Sequence, residues 1–398
     1  MKRQVSVVLG MLFFAHATVA QFTQQGSKLI GIGAVGDARI GSSVAVSADG
    51  NTAILGGFGD NNYFGAAWVF TRRGGSWSQQ GSKLIGSGAV GANWQGISVA
   101  ISADGNTAIV GGPFDNSKSG AAWVYTRSNG VWSQQGGKLV GAGAVGAAQQ
   151  GWSVGISGDG NTAIVGGYQD NNLAGAVWVF TRSNGVWTQQ GKKLVGGGSA
   201  SAQQGTSVAI SADGNTIVVG GPFDNAAWVY TRSGGIWTQR GRKLVGTGAV
   251  GAGSLGDSVA ISADGTTVIA GATNGNVGTG GAWVFARGTG VWSQQGSVLV
   301  GTGAVSVGPF PIEQGKSVAI SADGNTAFVG GPTDHGFVGA VWVYKRSNGV
   351  WTQQGSKLVV AGADRVSLGE SVTISADGNT LIVGGGGAAW VFTRSGVQ

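Results

Sequence analysis

The chain of 398 residues has no cysteine, only two histidines and five prolines, and few charged side chains, at 10%. Without cysteine it has neither disulfide bonds nor a thiol nucleophile, so its stability must come from packing and backbone pairing. One histidine, His16, lies in a predicted leader segment, which leaves His335 alone in the mature chain. A single loop histidine is typical of a surface residue rather than of a general base.

Long apolar runs are also absent, apart from one at the N-terminus. Residues 1–20 combine a basic start, a short apolar core and a small-residue end, which is the pattern of a cleavable signal peptide. The apolar core is too short for a membrane-spanning helix, which needs about twenty residues. We therefore expect a protein that is secreted, periplasmic or on the cell surface, with no membrane span and one domain at residues 21–398.

Glycine, in contrast, is abundant, with 80 residues, and the chain repeats itself. The motif Ser-Ala-Asp-Gly-Asn-Thr or a near copy occurs seven times, with its aspartate at Asp49, Asp104, Asp159, Asp213, Asp264, Asp323 and Asp377. Each copy divides into four predicted strands, a to d, such as SVAIS, TAIVGG, AAWVYTR and VWTQQGKKLVG. Asp-Gly between a and b, and Asn-Gly or Gly-Gly between c and d, supply the positive φ angles of tight hairpins.

The pattern within each copy predicts how the strands pack. Strands a and b are apolar on both faces, so each sheet must be covered on both sides. Side chains are small in a and b and large in c, which suits sheets that converge on an axis. We predict an all-β fold, a seven-bladed β-propeller with four-stranded blades.

The two ends of the chain predict how this ring closes. The last copy stops after strand c, whereas Gln21 to Gly31, QFTQQGSKLIG, is a strand d without a blade of its own. We therefore predict that the N-terminal strand pairs with the C-terminal blade.

The stretch from Gln204 to Pro222, QGTSVAISADGNTIVVGGP, resembles the FG-GAP repeat. That repeat is the blade unit of the integrin α-subunit propeller and of many secreted bacterial proteins. The glycine of the "FG" pair is present in all seven copies, and the phenylalanine in none. Several FG-GAP blades carry a calcium loop of pattern D-x-D-x-D-G, but here the a–b turn has a single carboxylate. We interpret that aspartate as a turn residue and predict no metal and no cofactor.

Charged residues outside these turns are also periodic. The basic residues behind the formal net charge of +7 recur at the same positions of each copy. We interpret them as solvated strand ends rather than as a dedicated anion-binding patch, and we expect no nucleic-acid partner. Five aspartates recur in the b–c loops, at Asp60, Asp115, Asp170, Asp224 and Asp334. They either start turns or line a ligand site, and both interpretations stay open.

Aromatic residues mark the predicted binding face. Strand direction alternates, so the b–c and d–a loops share one face of the ring. Thirteen of the fifteen tryptophans occupy repeat positions in strands c and d, where we expect them to pack between blades. Trp94 and Trp152 break the pattern beside the start of strand a, and Phe310 lies in an insertion on the same face. The predicted ligand contacts are Trp94, Trp152, Asp115, Asp170 and Phe310.

These residues predict a non-catalytic, monomeric binding module rather than an enzyme. Its expected partner is a glycan or a protein of a cell surface or matrix, bound through the loop face. Two alternatives remain open: a hydrolase or lyase that uses loop carboxylates, and a purely structural module of the envelope.

Overall fold

A computed structural model describes residues 22–248, 253–275, 278–362 and 364–394. The predicted signal peptide at residues 1–20 and the first residue of the predicted domain, Gln21, lie outside the described residues. Within these ranges, no helix has the length and the apolar character needed to cross a bilayer.

The described residues form seven four-stranded antiparallel sheets, so the predicted seven-bladed β-propeller is confirmed. Strand β1 (Phe22–Gln24) comes first in the chain but belongs to the last blade. Blades 1 and 2 consist of β2 (Ser43–Val46), β3 (Thr52–Gly57), β4 (Ala66–Arg73), β5 (Ser76–Gln79), β6 (Ser98–Ile101), β7 (Thr107–Gly112), β8 (Ala121–Ser128) and β9 (Val131–Gln134). Blades 3 and 4 consist of β10 (Ser153–Ile156), β11 (Thr162–Gly167), β12 (Ala176–Ser183), β13 (Val186–Gln189), β14 (Ser207–Ile210), β15 (Thr216–Gly221), β16 (Ala226–Ser233) and β17 (Ile236–Gln239).

The remaining three blades follow the same order of strands. Blades 5 and 6 consist of β18 (Ser258–Ile261), β19 (Thr267–Ala272), β20 (Gly281–Arg287), β21 (Trp292–Gln294), β22 (Ser317–Ile320), β23 (Thr326–Gly331), β24 (Ala340–Ser347) and β25 (Val350–Gln353). Blade 7 consists of β26 (Ser371–Ile374), β27 (Thr380–Gly385), β28 (Ala388–Arg394) and β1. Short helical turns fill b–c loops at Asp60–Tyr63, Asp115–Lys118, Asp170–Leu173, Pro222–Asp224 and Asp334–Phe337.

The ring closes as predicted, because β1 pairs with β28. Phe22 lies opposite Arg394 and Gln24 opposite Phe392. Beyond the strand, Leu29 exchanges two backbone hydrogen bonds with Ala389, at 2.7 and 3.1 Å. The N-terminal segment therefore supplies the outer strand of a blade whose other strands end the described chain.

Strand d is shorter than the sequence pattern suggests. In blade 3 the predicted strand from Val186 to Gly196 is regular only over Val186–Gln189, and Leu194 then makes an isolated bridge to Val177. Gly191, with a φ of 75°, turns the backbone between the two parts. The segment consequently bends around the rim instead of running straight.

The blades pack through the strand-c tryptophans. Trp123 is fully buried, and its indole Nε1 donates a hydrogen bond to the carbonyl oxygen of Ser87 at 2.8 Å. The indole lies against Gly86, where an added Cβ would come within 2.2 Å of the ring. The predicted packing role holds for all seven, which are at most 4% exposed: Trp68, Trp123, Trp178, Trp228, Trp283, Trp342 and Trp390.

The glycine that starts strand a is required by the contact between neighbouring blades. Gly96 has a φ of 89°, and an added Cβ would lie 2.3 Å from the carbonyl oxygen of Ala66 in the preceding blade. The Gly96 carbonyl oxygen accepts a hydrogen bond from Ser43 Oγ at 2.9 Å. The corresponding serine bonds recur at all seven interfaces, and the bond from Ser371 Oγ to Gly41 closes the circle. Any side chain here would push two blades apart.

Main-chain hydrogen bonds also run from one a–b turn to the next. The Ala48 amide donates to the Ala103 carbonyl oxygen at 2.9 Å, and the Ala376 amide of blade 7 donates to the Ala48 carbonyl oxygen at 3.0 Å. Further bonds of this turn belt join Ala103 to Gly158, Gly158 to Ala212, Ala212 to Ala263 and Ala263 to Ala322. Backbone atoms thus set the spacing of the blades close to the axis.

The aspartate of each a–b turn is held within the turn, as predicted. In blade 2, Asp104 accepts hydrogen bonds from Ser102 Oγ at 2.5 Å and from the Asn106 backbone amide at 2.9 Å. Burial by itself raises the pKa of Asp104, but these hydrogen bonds and the charge of Arg127 outweigh it, so the pKa lies below its ordinary value of 3.8. The pKa is also lowered for Asp49, Asp159, Asp213, Asp264, Asp323 and Asp377.

Candidate binding face

The b–c and d–a loops meet on one face of the ring. In blades 1 and 2, the Trp94 amide donates to the Tyr63 carbonyl oxygen at 2.9 Å, and the Gln95 amide donates to the Phe64 carbonyl oxygen at 3.2 Å. Similar short bridges join most of the other blades. We call the surface formed by these two sets of loops the loop face.

Trp94 is held in an unusual backbone conformation. Its φ is 59°, in the left-handed region that bulky residues rarely adopt. The next residue, Gln95, is buried, and its side-chain amide bonds to both the amide and the carbonyl of Gly86. The buried glutamine anchors the loop, while the partly exposed tryptophan remains on the loop face.

Trp94 belongs to a group of four rings. Its indole stacks on Phe114 with 4.2 Å between ring centroids, and it also stacks on Phe58 at 5.1 Å and Tyr63 at 5.3 Å. We call these four residues the aromatic cluster. Tyr63 is 41% exposed, so part of the cluster is open to a ligand.

Two cations border the aromatic cluster. The Arg39 guanidinium lies 5.4 Å from the centroid of Phe58, and the Lys118 ammonium lies 5.7 Å from that of Phe114. Such cation–π contacts place each cation over the face of its ring. A ligand on the cluster would therefore meet flat apolar faces flanked by positive charge.

A groove runs from the cluster toward blade 7. It has a volume of about 390 Å³, and Arg39 and Phe58 form one side, with Glu370 and Gly386 on the other. The groove exists because the b–c connection of blade 7 is reduced to Gly386 and Gly387, whereas other blades place a longer turn there. The surface next to the cluster is consequently concave.

The other predicted aromatic contacts lie in separate pairs. Trp152 packs edge-on against Tyr168, with centroids 4.8 Å apart. Phe310, which is 47% exposed, packs edge-on against Phe337 at 5.1 Å. Within the described residues, no ring contact joins these two pairs to the aromatic cluster.

The predicted contacts Asp115 and Asp170 lie inside the protein. Asp115 accepts a hydrogen bond from the Val90 amide at 2.7 Å and forms an ion pair with Lys138 at 2.6 Å. Its side chain is only 1% exposed, and so is that of Asp170, which pairs with Lys193. The same lysine pairing recurs at Asp60, Asp224 and Asp334. Both carboxylate oxygens of Asp115 have protein partners, so the aromatic residues are the stronger candidates for ligand contact.

Carboxylates also occur near the start of strand a in blades 5 to 7. Burial raises the pKa of Glu313, and the negative charges of Glu370 and Asp257 raise it further against the opposing effect of Lys316. Asp257 Oδ2 accepts hydrogen bonds from Ser254 and Thr273. Across the four described ranges, no group of three or more His, Asp and Glu side chains is arranged to hold a metal ion.

The sequence-based prediction named only one residue of the aromatic cluster, Trp94. Phe58, Tyr63 and Phe114 occupy variable loop positions, as do Arg39 and Lys118. The available signal was departure from the repeat: Phe58 stands where three other copies have proline.

No protein-family model matches this chain, and no curated protein matches it either.

Proposed function

We propose that this protein is a non-catalytic binding module of FG-GAP type, exported to the cell surface or beyond. It recognises a glycan or protein of a cell surface or matrix, as a monomer, through the aromatic cluster and the adjoining groove. The observation that carries this proposal is a four-ring cluster bordered by Arg39 and Lys118 beside a groove of about 390 Å³.

The chemistry of the cluster favours a carbohydrate ligand. Aromatic faces pack against the apolar C–H faces of sugar rings, and neighbouring cations bind hydroxyl or acidic groups. Trp94 stacks on the three other rings of the cluster, so little side-chain entropy is lost when a ligand binds. Trp152 with Tyr168, and Phe310 with Phe337, provide further aromatic contacts on the same face for a longer ligand.

A glycan and matrix-protein binding screen of residues 21–398 tests this proposal. We expect Trp94→Ala to weaken binding about tenfold or more, because truncation of an aromatic anchor commonly costs at least 1–2 kcal/mol. Phe223→Ala is the matched control, since Phe223 occupies the position of Phe114 in blade 4 and is 70% exposed. Equal binding by the wild type and Trp94→Ala, or no binding to either class of ligand, would contradict the proposal.

The second candidate is a hydrolase or lyase that uses loop carboxylates. The pKa of Glu313 favours it, because burial raises that pKa, which is the direction that a general acid requires. Such an enzyme would release products from a polysaccharide panel, and Glu313→Gln would stop the release. A purely structural module would neither bind nor cleave.

A further inference from the structure

Most neighbouring blades are joined at the rim by one glutamine. Between blades 1 and 2, Gln80 Oε1 accepts hydrogen bonds from Arg127 at 3.1 Å and from Trp132 Nε1 at 3.0 Å. The arginine and tryptophan come from one blade and the glutamine from the preceding blade. The same arrangement is formed by Gln135 with Arg182 and Trp187, Gln190 with Arg232 and Trp237, and Gln295 with Arg346 and Trp351.

The interface between blades 4 and 5 keeps the two donors but lacks the acceptor. Arg240 replaces the glutamine, and its Nε donates to Thr231 Oγ1 at 2.5 Å. Trp292 Nε1 is buried and has no hydrogen-bond partner. Among the described residues, the Arg287 side chain has no hydrogen-bond or ion-pair partner, and its guanidinium lies over the Trp292 ring, 5.9 Å from the ring centroid.

A second substitution removes the other usual partner of this arginine. In blade 2, Arg127 Nε donates to Asn106 Oδ1 at 2.9 Å, but blade 5 has Thr266 in place of the asparagine. Two independent changes have therefore removed hydrogen-bond acceptors from the neighbourhood of Arg287. The change from glutamine to Arg240 also adds positive charge.

Arg240 and Trp292 line a cleft between the two blades. Its volume is about 610 Å³, and its lining includes Arg240, Arg242, Lys243 and Trp292 but no acidic residue. Lys243 is held less tightly than its counterparts, because it lies 2.9 Å from Asp224 and its side chain is 35% exposed. The cleft thus gathers three cations beside a buried indole donor, with no acidic residue in its own lining.

We propose that this cleft between blades 4 and 5 binds an oxoanion, namely a sulfate or phosphate group, either free or carried by a polymer. The oxoanion would supply the acceptor oxygens that the glutamine supplies at the four interfaces named above. The planar guanidinium group of Arg240 suits such an anion, because it donates two parallel hydrogen bonds to neighbouring oxygens, and Arg287 lies against the Trp292 ring that lines the cleft. The cleft includes the c–d turn of blade 5 and shares no lining residue with the aromatic cluster or its groove, so this site is independent of the function proposed above.

The test compares the wild type with Arg240→Gln, which restores the arrangement found at the other interfaces. We measure thermal unfolding in sodium sulfate, in sodium phosphate and in sodium chloride at equal ionic strength. Sulfate stabilises proteins generally by exclusion from their surface, so the informative quantity is the difference between the two variants. We expect a larger rise in Tm with sulfate and phosphate for the wild type than for Arg240→Gln.

A reciprocal variant and a direct binding measurement complete the test. Gln135→Arg, at the interface of blades 2 and 3, should acquire a rise in Tm with sulfate. In titrations with heparin as a sulfated polymer, Arg240→Gln and Arg242→Ser should each bind about tenfold more weakly or worse. An effect of heparin without one of inorganic sulfate or phosphate assigns the site to a polymer-borne group, and effects of both assign it to the oxoanion itself. Equal responses of the wild type and Arg240→Gln to all three probes would overturn the proposal.

Discussion

Removal of the N-terminal strand is the most demanding test of the closed ring. A chain that begins at Ile32 lacks β1 and the segment through Gly31. Phe22 and Leu29 are only 6% and 5% exposed, and Phe22 packs edge-on against Phe328 of blade 6 at 5.3 Å. Burial of two such side chains contributes about 1.5–3 kcal/mol each, so the loss is about 3–6 kcal/mol before any backbone pairing is counted.

That loss translates into a measurable change in Tm. A domain of this size has an unfolding entropy of about 0.8 kcal/mol per kelvin, from about 2.1 cal/mol/K per residue. The chain that begins at Ile32 should therefore melt about 4–8 °C below the chain that begins at Phe22, when both are measured by calorimetry. A peptide of residues 22–31 added in excess should recover part of the difference, because it can bind the exposed edge of β28. Equal melting temperatures would refute the pairing of β1 with β28.

Three further predictions concern the interior of the blades. Gly96→Ala should destabilise the protein by about 3 kcal/mol or more in urea unfolding, because its Cβ would meet the carbonyl oxygen of Ala66 in the preceding blade. Gly91→Ala, at a φ of 77° with no atom nearby, should destabilise it by only about 1 kcal/mol. Lys138→Met should lower the free energy of unfolding more than Asp115→Asn does. The first variant leaves a carboxylate that is 1% exposed without its cation, whereas the second leaves a lysine side chain that is 22% exposed to solvent. The opposite order would contradict the structure. The lowered pKa values of the a–b aspartates contribute stability that is present above their unfolded pKa and is lost as the pH falls through the folded pKa. The urea concentration at the unfolding midpoint should therefore fall once the pH is below about 3.8. Asp104→Asn should weaken this pH dependence when unfolding is measured from about pH 5 to 2.5.

The fold was predictable because every local signal recurs seven times. The turn dipeptides predicted the hairpins, and the unmatched strand d at Gln21 to Gly31 predicted how the ring closes. The pairing of Phe22 with Arg394 confirms this closure. The tryptophans of strand c were also assigned correctly to the interfaces between blades. The bend within strand d was not predicted, since it depends on how Leu194 returns to Val177 across the sheet.

The candidate site was less predictable, because it depends on contacts between different copies of the repeat. Nothing local to Asp115 shows that Lys138, 23 residues later, neutralises it. The sequence does contain an indirect signal: each blade with a b–c aspartate also has the lysine, whereas blade 5 has Val298 there and no aspartate in its loop. Trp94 was identified as exceptional, but it stacks on Phe58 and Tyr63, which lie in the b–c loop of the preceding copy.

The turn belt and the hydrogen bonds from serine to the glycine carbonyls affect how the loop face can change. Since main-chain atoms and an invariant pair of small residues hold the blades in place, the loops are free to differ from blade to blade without disturbing the scaffold. Equivalent loops already present Phe114 in blade 2, Gln169 in blade 3 and Phe223 in blade 4. Each of the seven blades thus carries loops that can change by mutation independently of the other blades, as the binding loops of antibodies vary on a constant framework.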